Sequence, residues 1–289
     1  MIVVTGATGQ LGRLVIENLL RTEPASSIVA TVRDPAKAAD LSKLGVLVRQ
    51  ADYTQPASLR KAFAGADKLL LISSSELEPG RRASHHRAVI DAALECEVKL
   101  VGYTSILHAD TTPLGLAEDH VQTEAMLKAS AIPSVILRNG WYTENYTISI
   151  PAALAHGALM GSAGEGRIAS AARADYAAAA ALAMTLPDQA GRVYELAGDT
   201  AYSLSEFAAE ISRQSGKAVN YINLPRKEYK AALVGFGLPD PVADLLADSD
   251  NGASQGGLFD DTHQLSKLIG RPTTPMVQTI TAELRRRQL

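Results

Sequence analysis

Thr5-Gly6-Ala7-Thr8-Gly9-Gln10-Leu11-Gly12 joins an apolar run at 2–5 to an apolar-periodic run at 11–20. Three glycines at this spacing mark a strand that turns directly into a helix. Gly6 permits the tight turn, Gly9 leaves room for a pyrophosphate, and Gly12 lets the helix pack on the strand. The first N–H groups of a helix have no partner inside it, and its dipole favours negative charge there. Gly6, Ala7, Thr8, Gly9, Gln10, Leu11 and Gly12 are therefore the expected phosphate cradle of a dinucleotide.

Outward from this turn, short apolar runs alternate with helical patterns in the rhythm of repeated βα units. Strands are expected over 2–5, 28–32, 46–49, 68–72, 99–104 and 134–137. Helices are expected over 11–20, 36–44, 56–64, 81–95 and 116–130, the third opening with Pro56 in its first turn. Strands this apolar on both faces belong in a parallel sheet covered by helices. The fold class is thus α/β, a doubly wound Rossmann sheet whose ligand crevice lies beyond the carboxyl ends of the strands. After residue 139 the rhythm changes. Glycine-rich turns at 157–166 precede an alanine-rich helix over 175–185, and a strand over 193–196 is placed to rejoin the sheet. Ser203 and Glu206 form a capping box that starts another helix. The rest, 217–289, reads as mixed and loop-rich, with 252–257 a flexible stretch. This order implies a dinucleotide-binding domain over 1–139 and about 167–198, with a smaller discontinuous cap from about 140–166 and 199–289.

The end of the second strand reads the cofactor's ribose. A carboxylate there bonds the hydroxyls of NADH, whereas here Val32 is followed by Arg33, whose guanidinium can hold a 2′-phosphate bidentately. Asp34 stands before Pro35, where it can either face the ribose or, as is expected, cap the next helix. NADPH is accordingly expected, with NADH a weaker second. Asp52 and Tyr53 follow the third strand, where an acidic group can bond the adenine amine. Ser73, Ser74 and Ser75 follow the fourth and can line ribose and phosphate.

Composition excludes other classes. A net charge of −3 over 289 residues provides no basic footprint for nucleic acid. The one basic run, Arg285 to Arg287, suits a solvated helix end. A single cysteine, Cys96, allows no intrachain disulfide. No apolar run suits a membrane span, and a glycine turn beginning at residue 6 leaves no room for a signal peptide, so a cytoplasmic protein is expected. A homodimer is compatible with this reading. His85 and His86 are adjacent on a helix and diverge, a poor metal site. The stretch 248–252 has the composition of a calcium loop but is out of register, with Phe259 where the closing Glu belongs. No metal is expected.

The segment Gly6 to Gly12 resembles the short-chain dehydrogenase superfamily. Its usual catalytic device is Tyr-x-x-x-Lys after the fifth strand, and no tyrosine here has a lysine four residues on. Leu116 and His120 occupy the corresponding positions. Standard ketone or sugar-epimerase chemistry is therefore not expected. The 5–12, 70–75 and 103–110 stretches, together with Leu137-Arg138-Asn139-Gly140-Trp141-Tyr142-Thr143-Glu144-Asn145 and 256–261, are similar to the NmrA-like atypical branch and its quinone-reducing members. That resemblance implies NADPH-dependent reduction of a small quinone without flavin or metal; the alternative is an NmrA-like redox sensor that binds NADP(H) with little turnover. A quinone accepts hydride readily, so the protein mainly has to align the reactants and offer a donor to the developing oxyanion. Asn139, Gly140 and Trp141 are expected beside the cofactor, with Tyr142 and Asn145 as donors to the quinone. His120 is either a proton donor or a surface residue of an amphipathic helix.

Overall fold

The computed structural model describes residues 1–287. In chain order its first elements are β1 (Ile2–Val4), α1 (Gln10–Leu19), β2 (Ile28–Val32), α2 (Ala39–Lys43), β3 (Leu47–Gln50), α3 (Pro56–Phe63) and β4 (Lys68–Leu71). Next come α4 (Arg81–Glu95), β5 (Leu100–Ile106), α5 (Ala117–Ser130), β6 (Ser134–Asn139), α6 (Glu144–Thr147), α7 (Ile150–His156), β7 (Ala158–Gly161), α8 (Arg173–Thr185) and β8 (Val193–Leu196). The remainder is α9 (Leu204–Ser215), β9 (Asn220–Asn223), α10 (Arg226–Gly235), α11 (Asp240–Ser254), α12 (Gln264–Ile269) and α13 (Met276–Arg287).

Seven strands form one sheet in the order β3-β2-β1-β4-β5-β6-β8. Pairs from β3 through β5 are parallel. The order reverses between β1 and β4, which is where a doubly wound sheet opens a crevice. Val3, Val4, Val29, Leu69, Leu70, Leu71 and Val101 are buried in its centre, consistent with helices on both faces. The expected Rossmann sheet is present, and the strand at 193–196 joins it beside β6.

Helix α1 turns Leu11, Gly12, Val15, Ile16 and Leu19 inward at helical spacing and packs on α8, whose inner face is mostly alanine. Gly6 takes a left-handed φ of 59°, which an L side chain tolerates poorly. A Cβ on Gly12 would collide with the Gly6 carbonyl oxygen and lie 2.8 Å from Ala7 Cα.

By its contacts the chain divides into two units. The first comprises Met1–Ile106, Glu118–Arg138 and Arg173–Tyr194; the second comprises Leu107–Ala117, Asn139–Ala172 and the chain from Glu195 onward. The boundaries expected from sequence differ chiefly in assigning 107–117 and 167–172 to the first. In the second unit β7 and β9 pair in parallel. The capping box forms: Glu206 N–H donates to Ser203 Oγ at 3.2 Å and Ser203 N–H to Glu206 Oε2 at 2.7 Å.

Two expectations are corrected here. The 217–289 stretch, expected to be loop-rich, carries β9 and four helices among its described residues. The 252–257 stretch is not simply a glycine linker, since Gly252 lies on the buried face of α11 against Leu114 and Gly257 lies against Pro113. The same helix holds Asp250, which accepts from Tyr146 Oη at 3.1 Å and Ser162 N–H at 2.9 Å. Burial pushes its proton affinity up to about 6.

The Gly12 contact predicts its own test. Gly12→Ala should cost about 2–3 kcal/mol by forcing α1 off the turn, seen as a fall in Tm of roughly 4–12 °C.

Candidate functional site

A cleft of about 610 Å³ opens at the carboxyl ends of β1, β2, β3 and β4, within the first unit. Gly6, Thr8 and Gly9 line it from the first turn, Arg33 from the end of β2, Asp52 and Tyr53 from the end of β3, and Ser73, Ser74 and Ser75 from the end of β4. Ala7, Leu11 and Gly12 lie buried beneath the turn. Gln10 is exposed at the start of α1, where its Oε1 accepts from Arg173.

The turn is closed by Gly9 N–H donating to Gly6 C=O at 2.9 Å. Gly9 is the N-cap of α1, no acidic residue stands in the first turn, and Gly9 is exposed. The positive end of this helix is therefore left for an anion from outside the chain. Asp34 behaves as the cap expected of it, its Oδ1 accepting from Ala36 N–H at 3.1 Å. Its carboxylate is thereby engaged with the backbone, while Arg33 projects into the exposed rim. Asp52 accepts from Thr54 N–H at 2.9 Å and Thr54 Oγ1 at 2.7 Å, and these bonds hold its carboxyl below the usual carboxylate range.

Beyond Leu71 the ladder of β4 ends and side chains take over its backbone hydrogen bonds. Ile72 N–H donates to Thr5 Oγ1 at 2.9 Å, and Tyr53 Oη donates to Ile72 C=O at 3.2 Å. Burial pushes the Tyr53 phenol up to about 12, so it stays a neutral donor. Ser73 N–H donates to Thr104 Oγ1 at 2.9 Å. Ser74 N–H donates to His86 Nε2 at 2.9 Å, and Arg82 Nε donates to Ser74 C=O at 2.9 Å. Arg81 and Arg82 carried no expectation from sequence, and His85 and His86 were weighed only as a metal pair, yet Arg81 and His85 line the same cleft and Arg82 and His86 brace its wall. Their available signal was helical spacing: each pair is four residues apart on α4 and so shares a face.

His120 is not a surface residue. It is 4% exposed, its Nδ1 is 2.7 Å from Tyr103 Oη, and burial pushes its proton affinity down to about 3. At neutral pH it is an uncharged core histidine paired with the Tyr103 hydroxyl.

Asn139, Gly140, Trp141, Tyr142 and Asn145 stand in the second unit, along the segment that leaves β6. This segment is pinned to 170–171. Ala171 N–H donates to Trp141 C=O at 3.2 Å, and Thr143 N–H donates to Ala171 C=O at 3.0 Å. Thr143 Oγ1 lies 2.8 Å from Ser170 Oγ, which lies 2.5 Å from Tyr202 Oη. Trp141 is buried, while Tyr142 and Asn145 are half-buried. The buried Oδ1 of Asn139 has no hydrogen-bond partner among the described residues.

Residues 6–185 match the family described as NAD(P)H-binding. The chain belongs to the NAD(P)H-binding family. It is 59% identical over 280 residues to Quinone oxidoreductase 2 of Escherichia coli (strain K12), covering 97% of each protein. It is also similar to the crystal structure of an NADPH-dependent quinone oxidoreductase from that species complexed with NADPH, with a TM-score of 0.95 and 58% identity over 98% of this chain and 100% of that one. The triphenylmethane reductase of Citrobacter sp. complexed with NADP(H) aligns with a TM-score of 0.94 and 38% identity, over 98% of this chain and 100% of that one. The cleft suits this family's ligand: a side-chain-free helix start for a pyrophosphate and an arginine on the rim for a further phosphate.

The buried histidines predict a pH dependence. His86 and His120 are held near 3 against an ordinary 6.5, so unfolding takes up protons between those values. Their contribution is complete above the ordinary histidine pKa and is lost on acidification, by about 2 kcal/mol per histidine at pH 5. In denaturant titrations at pH 7 and pH 5, His120→Phe should lose about 2 kcal/mol less than the wild type. Equal losses would show that His120 is not buried and neutral.

Proposed function

We propose that this protein is an NADPH-dependent quinone reductase that works by direct hydride transfer, without flavin or metal. The observation that carries this reading is the end-to-end likeness to Quinone oxidoreductase 2, which includes the cleft-bearing sheet and extends beyond it. When bound, NADPH supplies a hydride with its electron pair, and the quinone takes up that hydride and a proton to become a hydroquinone.

The chain's own residues bind and orient. Gly6, Ala7, Thr8, Gly9, Gln10, Leu11 and Gly12 are assigned to the pyrophosphate, Asp52 and Tyr53 to the adenosine end, and Ser73, Ser74 and Ser75 to ribose and phosphate. Arg33 is assigned to the 2′-phosphate, because Asp34, the nearest acid that could select NADH, is engaged in its cap. Asn139, Gly140 and Trp141 are assigned to the nicotinamide, supported by the unpartnered Asn139 Oδ1, whose burial is costly unless a donor reaches it. Tyr142 and Asn145 are assigned as donors to the quinone oxygen on which charge develops. Holding two reactants in an attack-ready geometry supplies up to about 7–11 kcal/mol, enough that a good hydride acceptor needs no tyrosine-lysine acid. A cytoplasmic setting fits the single cysteine, and among the described residues no helix is long and apolar enough to cross a membrane.

Loss of the reduced-nicotinamide absorbance on adding a small benzoquinone tests the activity. Tight NADPH binding without turnover would return the redox-sensor reading. Arg33→Ala should lower kcat/KM for NADPH roughly tenfold to hundredfold and leave that for NADH within about twofold. Tyr142→Phe combined with Asn145→Ala should lower kcat about a hundredfold at saturating NADPH. An unchanged kcat would remove both from the site.

A further inference from the structure

We propose that His86 and Arg82, two buried side chains outside the cleft, are positioning residues for NADPH: they fix the shape of the 73–76 loop that forms one wall of its site. This inference rests on the reading of the cleft as the NADPH site.

Arg82 and His86 sit four residues apart on α4, both buried, and both reach the backbone of this loop. Arg82 Nε donates to Ser74 C=O at 2.9 Å and Arg82 Nη2 to Glu76 C=O at 2.8 Å. Ser74 N–H donates to His86 Nε2 at 2.9 Å. That bond requires Nε2 to carry a lone pair, so the ring proton is on Nδ1. Nδ1 lies 2.8 Å from Thr123 Oγ1, which spends its own hydrogen on Asp119 C=O at 2.7 Å and is therefore free to accept. A directed chain of donors thus runs from the loop, through the imidazole, into α5. Asp119 also supplies a carboxylate 3.9 Å from the Arg82 guanidinium. The neighbouring His85 takes the remaining handle on the same residue, its Nδ1 3.2 Å from Ser74 Oγ. The two histidines that diverge too far to share a metal therefore grip one serine, one by its amide and one by its hydroxyl.

A loop held in this way presents its hydroxyls in one arrangement before the dinucleotide arrives, and a loop without it must be ordered on binding. His86→Leu should therefore raise both the Kd for NADPH, by fluorescence titration, and the KM for NADPH by about tenfold. The kcat and the KM for benzoquinone should stay within about twofold. His86→Gln keeps an acceptor oxygen and should bring NADPH affinity back to within about threefold of wild type. A merely structural role would instead lower the active fraction, and with it kcat, leaving KM for NADPH unmoved. That result, or unchanged NADPH affinity in folded His86→Leu, overturns the proposal. If His86→Leu does not fold, Thr123→Val removes the acceptor that sets the tautomer and should weaken NADPH binding about threefold; unchanged binding there also overturns it. Wild-type protein that binds NADPH but reduces no quinone refutes the proposed activity while the binding titrations still decide this inference.

Discussion

Helix α1 crosses the turn from which it springs at a distance that only glycine allows. At Gly12 there is no room for even one carbon between the helix and the Gly6 carbonyl. That contact sets the angle at which α1 leaves β1, and so the direction in which its unpaired N–H groups point. With a larger residue there the helix would tilt away, and the cradle at Gly6 and Gly9 would lose its alignment with the ends of β2, β3 and β4. The packing of α1 on the alanine face of α8 supports the same geometry from the other side.

The floor of the cleft is backbone, but its far wall is backbone held by side chains. Once β4 leaves the sheet after Leu71, its amides and carbonyls need partners, since buried polar groups left unpaired are costly. Thr5, Tyr53, Thr104, His86 and Arg82 provide them from four different elements or turns. His86 stays neutral in this network because burial and the nearby Arg82 charge disfavour a second positive charge. Neutral imidazoles can accept hydrogen bonds, which imidazolium ions cannot, so the low proton affinity is a condition for the loop's shape.

The second unit holds its own ordered segment by similar means. Trp141 to Thr143 follows a strand, is bridged to Ala171, and is tied through Ser170 to the buried hydroxyl of Tyr202. A reaction that depends on alignment more than on acid chemistry asks for rigidity of this kind, because a small misplacement of either reactant forfeits most of the advantage.

Much of this was legible in the chain itself. The Gly6-Gly9-Gly12 spacing, the period of the βα units, the absent tyrosine-lysine pair, the Asp34 cap and the Ser203–Glu206 box are local patterns, and local patterns are governed by backbone sterics and helix periodicity that operate within a few residues. Arg33, Asp52, Tyr53 and the three serines could be placed in one cleft because a doubly wound sheet brings consecutive strand ends together. What only the tertiary structure decided is of another kind. That His120 is interior, that Gly252 lies on a buried helix face, that 217–287 is mostly helical, and that His86 meets Ser74 while Thr123 sets its tautomer depend on contacts between segments distant in sequence. Burial and hydrogen-bond partnership are properties of the neighbours a residue acquires on folding, and no period or spacing along the chain encodes which neighbours those are.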